Sequence, residues 1–479
     1  MPPLNFSAIL PLTFLTIWSC ALLATDLFIK RKGWTAFLAA LGLALTLGLT
    51  LTQIGLSQTA FNNAVIQDGF STFVDALLLL SGLFGVALAY GYVKRTGIER
   101  GEYYTLLLFS ILGMMLMAQA GDLIIVFLAL EMLSIPLYVL SAFARPRTDS
   151  EEAGLKYFLL GAYSTGFVVY GIALVFGATG TTALNGIVTK AAAPDTNVLL
   201  LTAGAALILV GLSFKVAAVP FHMWTPDVYQ GAPSAVTAFM AAGAKIAGFA
   251  ALLRVFALAF PSISAQMTPI LATISALTMI VGNLAAITQG NIKRLLAYSS
   301  IAHAGYVLMA FVPYGNQSVV STSVASGLFY LVAYAITNFG AWGVVIALER
   351  AEGKGLLLDD YAGLSKKYPA LAAAMAIFML SLTGIPPTLG FVGKFYLFSA
   401  AIQGQFYLLA VIGVLTSLIS AYYYLRVVVI MYMRDGEPET VREPWLNFAW
   451  GLAAVLVVVV SLIPQYLFAW ASEAVLKLF

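Results

Sequence analysis

Apolar residues recur along this chain in long unbroken runs, separated by short breaks rich in charge, Gly, Pro or Asn. A helix needs about 20 mainly apolar residues to cross about 30 Å of hydrocarbon, and about fourteen windows of that kind are present. They fall near 8–29, 35–55, 71–93, 103–120, 123–143, 153–178, 198–219, 233–259, 267–288, 295–313, 320–348, 370–398, 405–430 and 446–472. The runs are continuous, unlike the alternating segments of a membrane barrel, so the pattern predicts an all-α membrane protein.

The distribution of Lys and Arg tests that count, because a wrong number of crossings would scatter them over both sides. With the N-terminus outside, one set of loops holds Lys30, Arg31, Lys32, Lys94, Arg95, Arg100, Arg145, Arg147, Lys293, Arg294, Arg350, Lys354, Lys366, Lys367, Arg434 and Arg442. The opposite side holds only Lys190 and Lys477. The expected placement is the bacterial cytoplasmic (inner) membrane, with the basic loops inside and both termini periplasmic. Six further basic residues, Lys156, Lys215, Lys245, Arg254, Lys394 and Arg426, fall within or at the rims of windows and need their own explanation.

No linker, low-complexity stretch or soluble domain interrupts the helices, so residues 1–479 read as a single polytopic membrane domain. Two windows are broken by Pro and polar residues: 211–227, GLSFKVAAVPFHMWTPD, and 381–396, SLTGIPPTLGFVGKFY. Lys215 precedes Pro220 in the first, whereas Lys394 follows Pro386 and Pro387 in the second. Such an order is expected of two inverted repeats that each contribute a discontinuous helix. The predicted five-helix units span 103–259 and 267–430, with flanking helices in 1–100 and 446–479.

Composition narrows the chemistry. With 61% apolar and 9% charged residues, the chain cannot supply a soluble protein's polar shell, and lipid is its expected surroundings. Trp34, Tyr92, Tyr368 and Trp445 lie near segment ends and read as interface anchors. A formal charge of +3 gives no reason to expect a nucleic-acid partner. The first apolar stretch precedes Lys30, Arg31 and Lys32, the reverse of a signal peptide's order, and reads as a retained helix. A single Cys20 excludes an internal disulfide and leaves no iron–sulfur or zinc motif. His222 and His303 read as hydrogen-bonding or proton-handling groups rather than metal or haem ligands.

The ionisable residues inside the windows carry the functional expectation. Glu131 lies mid-window, where a charge costs at least about 2.5 kcal/mol, and reads either as a protonated helix–helix contact or as a carboxylate that changes its charge. Lys245 sits about 18 Å along the axis from either interface, too deep to snorkel. Its Ala and Gly neighbours leave room for close packing. A buried lysine with a movable acid partner can load and release protons, which is what a proton pump requires. Lys215 and Lys394 occupy the broken helices, either as caps on the breaks or as members of a charged row at mid-membrane depth. His303, in AYSSIAHAGYVLMA, bridges Lys245 and Lys394 or sits as a satisfied core residue. Secondary candidates are Glu152 and Lys156, spaced as an intrahelical pair, together with His222 and Asp227 beside the first break. Asp26, Asp75 and Asp122 lie nearer helix ends and read as solvated or capping groups.

Four runs carry a resemblance: EEAGLKYFLLGAYSTGFVVYGIALVFGATGT (151–181), FKVAAVPFHMWTPDVYQGAPSAVTAFMAAGAKIAGFAALLRVF (214–256), GNIKRLLAYSSIAHAGYVLMA (290–310) and GIPPTLGFVGKFYLF (384–398). They resemble the signature segments of the antiporter-like subunits of respiratory complex I, and KYFLLGA and YSSIAHAGY are similar to the branch kin to mitochondrial subunit 2. The resemblance implies fourteen core helices. It implies a proton-loading pair of Glu131 and Lys215, a connecting Lys245, a central His303, and Lys394 communicating with the far side or the next subunit. It further implies a subunit of an NADH:quinone oxidoreductase with no redox site of its own. Quinone, FMN and iron–sulfur clusters would belong to partner subunits, which would include antiporter-like subunit M and the small subunits K, J and A, besides lipids. Thr388 and Leu389 depart mildly from the small residues that often follow the paired prolines. The alternatives are a subunit of a Mrp-type Na⁺/H⁺ antiporter and a structural spacer in the membrane arm.

Overall fold

A computed structural model describes residues 5–350 and 353–476. Lys477, assigned above to the less basic side, lies outside the described residues. Helices occupy every apolar window. The first six are α1 (Leu10–Asp26), α2 (Lys32–Leu51), α3 (Gly69–Arg95), α4 (Glu102–Ala118), α5 (Leu123–Ser141) and α6 (Thr148–Thr179). A short α7 (Leu184–Ala191) precedes the first broken window, which holds α8 (Val198–Val216) and α9 (Trp224–Gly231). The next window holds α10 (Ser234–Phe239), a π-helical turn at Met240–Ala244, and α11 (Lys245–Ala259). There follow α12 (Ser264–Ile287), α13 (Ile292–Met309), α14 (Val320–Leu348) and the single turn α15 (Leu364–Lys367). The second broken window is split between α16 (Pro369–Thr383) and α17 (Leu389–Gln403). The chain then forms α18 (Tyr407–Met433), α19 (Pro444–Leu462) and α20 (Pro464–Leu476). Ten of the helical segments are long and apolar enough to cross a membrane, and α1, α4, α16 and α17 are shorter apolar helices.

The breaks fall where the sequence places them. α8 ends at Ala217, held in the left-handed region at φ 61°, and α16 ends at Gly384, at φ 88°, where glycine meets no steric penalty. A hairpin of β1 (Gln58–Ala60) and β2 (Val65–Gln67) fills part of the α2–α3 connection, which hydropathy alone did not reveal.

In lipid, hydrophobicity does not separate inside from outside, so side-chain size and polarity decide which helices are central. The Ala/Gly-rich segment Ser234–Ala259 is wholly buried and α14 nearly so, whereas α6 and α19 present most of their surface outward. Close crossings need missing side chains. A Cβ on Gly171 of α6 would lie 2.7 Å from the Gly204 carbonyl of α8, and one on Gly282 of α12 would lie 2.6 Å from the Ala302 nitrogen of α13.

The basic loops share one face, because their residues bind one another's neighbours. Arg95 pairs with Glu443 (2.6 Å), Arg350 with Glu439 (2.9 Å), Lys367 with Glu437 (3.0 Å) and Arg434 with Asp359 (2.9 Å). Two of the interior cations are structural. Arg254 donates twice to Asp68, at 2.9 and 2.8 Å, and lies over the Phe70 ring, while Asp68 itself caps α3 through Ser71 N. Arg426 donates to the Ile287 carbonyl at the end of α12, a C-terminal cap.

Three sequence expectations need correction. Asp26 is not solvated and caps no helix: the start of α2 covers it, and it accepts from Lys32 Nζ at 2.7 Å and Thr35 Oγ1 at 2.5 Å. Tyr92 is no interface anchor: it is buried and bonded to Glu349 at 3.2 Å, because its ring points into the helix bundle. Trp34 and Trp445 are exposed, as anchors should be. Asp75 is neither solvated nor a cap. It is buried nearly two turns inside α3 and accepts from Gln119 Nε2 at 2.6 Å, so helix–helix packing and not proximity to a helix end sets its surroundings. Asp122 does cap α5, accepting from Ile124 N at 2.8 Å.

A buried bidentate pair is worth most when broken on one side. Arg254→Met is expected to lower stability by about 3–5 kcal/mol by stranding Asp68, and Asp68→Leu combined with it to restore much of that. Thermal unfolding midpoints in detergent would check this, and an unchanged midpoint for Arg254→Met would overturn the assignment.

Candidate functional site

Lys215, Lys245, His303 and Lys394 are all buried, so none of the four faces lipid. Lys215 closes α8 just before the break, and its ammonium reaches across to two other helices. It donates to Ser134 Oγ of α5 at 2.8 Å and to Tyr157 Oη of α6 at 3.1 Å. The Tyr157 ring stacks at 4.5 Å on Trp224, whose indole N–H donates to the Phe214 carbonyl, so the aromatic wall is tied to both sides of the break.

Glu131, one turn before Ser134 on α5, accepts from Thr165 Oγ1 at 2.7 Å. It interacts electrostatically with Lys215 without a direct ion pair. Of the five principal candidates it alone is only half-buried. It shares the outer stripe of α5 with the exposed Leu128 and Ile135.

Lys245 follows the π-helical turn directly. Such turns are rare and shift the side chains after them relative to an unbroken helix. Its ammonium donates to the Ser300 carbonyl of α13. Lys215 is close by: a Cβ on Gly248, one turn along from Lys245, would lie 3.4 Å from Lys215 Cγ. Only a glycine there lets α8 and α11 approach this closely.

The SSIAH segment of α13 joins Lys245 to His303. Ser300 holds Lys245 through its carbonyl, and Ser299 Oγ lies 2.5 Å from Tyr424 Oη of α18. Tyr424 Oη in turn lies 3.0 Å from His303 Nε2, and His303 Nδ1 lies 2.6 Å from Tyr330 Oη of α14. His303 interacts electrostatically with Lys245 on one side and Lys394 on the other. Lys394 donates to the Leu382 and Thr383 carbonyls at 3.0 and 2.9 Å and to Ser417 Oγ at 2.8 Å, and its ammonium lies 4.6 Å from the Tyr306 ring centroid. Of the two readings of Lys394, the contacts show the cap: it holds the carbonyls freed where α16 ends.

The secondary candidates divide. Glu152 and Lys156 form their intrahelical pair at 2.7 Å, and Lys156 also reaches Asp227 at 2.8 Å. Asp227 receives Arg294 at 2.7 Å, which makes a partly exposed network at the rim of the basic face. His222 does not join it, and its Nδ1 has no side-chain partner among the described residues. Sequence reasoning missed Tyr157, Tyr330, Tyr334 and Tyr424. For Tyr330, Tyr334 and Tyr424 a signal was present, since each lies well inside an apolar window, whereas Tyr157 falls near the start of its own. Among the described residues, no group of three or more His, Cys, Asp or Glu is placed to hold a metal.

With this geometry in view, comparison with known proteins is specific. Residues 120–420 match the family model described as NADH:quinone oxidoreductase/Mrp antiporter, TM. The NADH-quinone oxidoreductase subunit N of Chloroflexus aggregans is 44% identical, over 100% of this chain and 99% of its own length. A chain of respiratory complex I from Thermus thermophilus, solved with bound aureothin, is 39% identical and superposes with a TM-score of 0.83, covering 96% of this chain and 99% of that one. A chain of the Mrp complex from Dietzia sp. DQ12-45-1b superposes with a TM-score of 0.88 over 99% and 98% of the two chains at 20% identity, which is a likeness of fold alone. The antiporter alternative is thereby reduced to a distant relationship. The chain belongs to the NADH:quinone oxidoreductase/Mrp antiporter membrane family and, within it, to the subunit N branch of the NADH-quinone oxidoreductases.

Proposed function

We propose that this chain conducts protons within the membrane arm of an NADH-quinone oxidoreductase, along Glu131, Lys215, Lys245, His303 and Lys394. Quinone reduction elsewhere in the complex supplies the driving force. The observation that carries this reading is the hydrogen-bonded set of Ser299, Tyr424 and His303, all buried, whose first residue adjoins the Ser300 that holds Lys245.

The chemistry of each partner assigns its task. A carbonyl can hold an ammonium but cannot pass its proton on, whereas hydroxyls, imidazole and water both accept and donate. Ser300 therefore anchors Lys245, and Tyr424 and His303 carry the transfer. Lys215 exchanges its proton with Glu131 by way of the Ser134 hydroxyl or an intervening water. Changing the charge of one pair alters the electrostatic energy of the next, which is the coupling that a pump requires. Glu152, Lys156, Asp227 and His222 line the approach to this row from the basic face.

This chain supplies no flavin, iron–sulfur or quinone site in that scheme, and those cofactors sit in partner subunits. The partners we assign are antiporter-like subunit M and the small subunits K, J and A. The half-exposed Glu131 supports such a neighbour. The clustered basic loops support a bacterial inner-membrane orientation with those loops cytoplasmic and both termini periplasmic. The two broken helices support inverted units over 103–259 and 267–430.

Lys215→Ala or Glu131→Gln is expected to lower proton pumping and coupled quinone reduction several-fold, with NADH oxidation by artificial acceptors nearly intact. Pumping measured in proteoliposomes at wild-type rates would discard these assignments. Tyr424→Phe, which removes one hydroxyl between Ser299 and His303, is expected to slow pumping far more than Tyr423→Phe, whose hydroxyl meets Asn283 instead. Equal effects in the same assay would sink the Tyr424 link.

A further inference from the structure

The His303 ring is held at both nitrogens, and the two holds differ in chemistry. Tyr330 Oη of α14 lies 2.6 Å from Nδ1, and Tyr424 Oη of α18 lies 3.0 Å from Nε2. The Tyr330 ring also stacks on the imidazole, with centroids 5.9 Å apart and planes at 22°. The backbone of α17 leaves it just enough room: a Cβ on Gly393 would lie 2.6 Å from Tyr330 Cδ2, so only a glycine there admits the ring. The other groups around His303 are the rings of Tyr306 and Tyr334, with Lys245 and Lys394 acting electrostatically.

A neutral imidazole carries one proton, and the bond made by one nitrogen decides which of the two has it. Tyr330 is 1% exposed, and among the described residues its hydroxyl meets His303 Nδ1 alone. A buried hydroxyl with a single neighbour donates to it, because an O–H left without an acceptor is costly. Nδ1 then accepts, and the proton belongs on Nε2, which faces Tyr424. The other side suits this order. Tyr424 Oη has two neighbours, so it accepts from Nε2 and donates to Ser299 Oγ. Ser299 lies inside α13, where a serine hydroxyl can donate to the carbonyl one turn earlier. With the proton on Nε2, every hydrogen of this set has an acceptor. With it on Nδ1, the Tyr330 hydrogen has none.

We propose that Tyr330 is the positioning residue of His303: its hydroxyl fixes the tautomer and holds the ring with its N–H toward Tyr424. The hydroxyl meets no other member of the row, so it relays no proton itself and acts through the imidazole. Without that bond the ring loses the contact that keeps Nε2 on the Tyr424 side. The proposal rests on the reading of His303 as a proton carrier.

The test uses the assembled complex, with nitrogen NMR of isotopically labelled histidine and proton pumping in proteoliposomes. The His303 signals are assigned by their loss in His303→Gln. Expected in the wild type is a neutral ring with its proton on Nε2 and a hydrogen-bonded, unprotonated Nδ1. Tyr330→Phe keeps the aromatic ring; it is expected to shift the Nδ1 signal to that of an unbonded nitrogen and to lower pumping several-fold, with the thermal unfolding midpoint unchanged. Tyr334→Phe, whose hydroxyl meets Ser300 and Asn338 instead, is expected to leave the Nδ1 signal in place. A wild-type proton on Nδ1 overturns the tautomer and with it the proposal, as does wild-type pumping in Tyr330→Phe. A lowered midpoint with an unmoved Nδ1 signal assigns Tyr330 to packing and overturns it too. Wild-type pumping in His303→Gln overturns the reading beneath it. If Tyr330→Phe fails to assemble, the wild-type spectrum decides: a proton on Nε2 supports the proposal and one on Nδ1 sinks it.

Discussion

The structure depends on what it costs to keep charge away from water. Inside the hydrocarbon layer a lone ammonium or carboxylate is destabilised by several kcal/mol, and it persists only with partners built for it. The interior of this chain is organised around that requirement. Its central helices are made of small residues, so that neighbours can approach, and buried cations are met by named acceptors: Arg254 by Asp68, Lys293 by the Ala232 carbonyl. The helices with the smallest buried share, α6 and α19, expose large apolar side chains such as Leu155, Phe158, Phe448 and Val455.

The three mid-membrane lysines solve the same problem in different ways, and the differences bear on their tasks. Lys394 has three acceptors, two of them helix-end carbonyls, so it ties the break together as well as ending the proposed row. Lys215 meets two hydroxyls and senses Glu131 without touching it. That looser arrangement favours a change of charge, because hydroxyls can reverse their donor role when the ammonium becomes an amine. Lys245 rests on a carbonyl at the exit of a π turn, held in place by a group that takes no proton from it. The chemistry of the partner thus distinguishes how each of the three is held, a distinction that burial by itself does not make.

Much of this was legible before any coordinates. Helix positions followed from run length, and both breaks followed from Pro and polar residues inside an apolar run, because Pro acts on the local backbone. Lys245, Lys215, His303 and Lys394 stood out because a charge among apolar neighbours is conspicuous in a string of letters. The tyrosines did not. Tyr is at home at a membrane interface as well as in a polar core, and its letter does not say which way the ring points, so Tyr92 was read as an anchor and Tyr424 passed unnoticed. Asp75 was misread for a related reason: distance from a helix end says nothing about which neighbour covers the side chain. Only packing between helices distant in sequence, such as α13 against α18, reveals which hydroxyl stands between Ser299 and His303.

Glu131 completes the argument about assembly. Its stripe on α5 runs through Leu128 and Ile135, both open to the outside of this chain, and a carboxylate facing lipid at that depth would carry the penalty that the other charges escape. Thr165 satisfies one oxygen only. The chain taken alone is therefore electrostatically incomplete at the acid whose field reaches Lys215. A neighbouring subunit laid along α5 and α6 would remove lipid from Glu131 and could set its charge from outside. In that arrangement the charge state of one subunit is read by the next through a single half-buried acid, and the row of lysines behind it passes the signal inward.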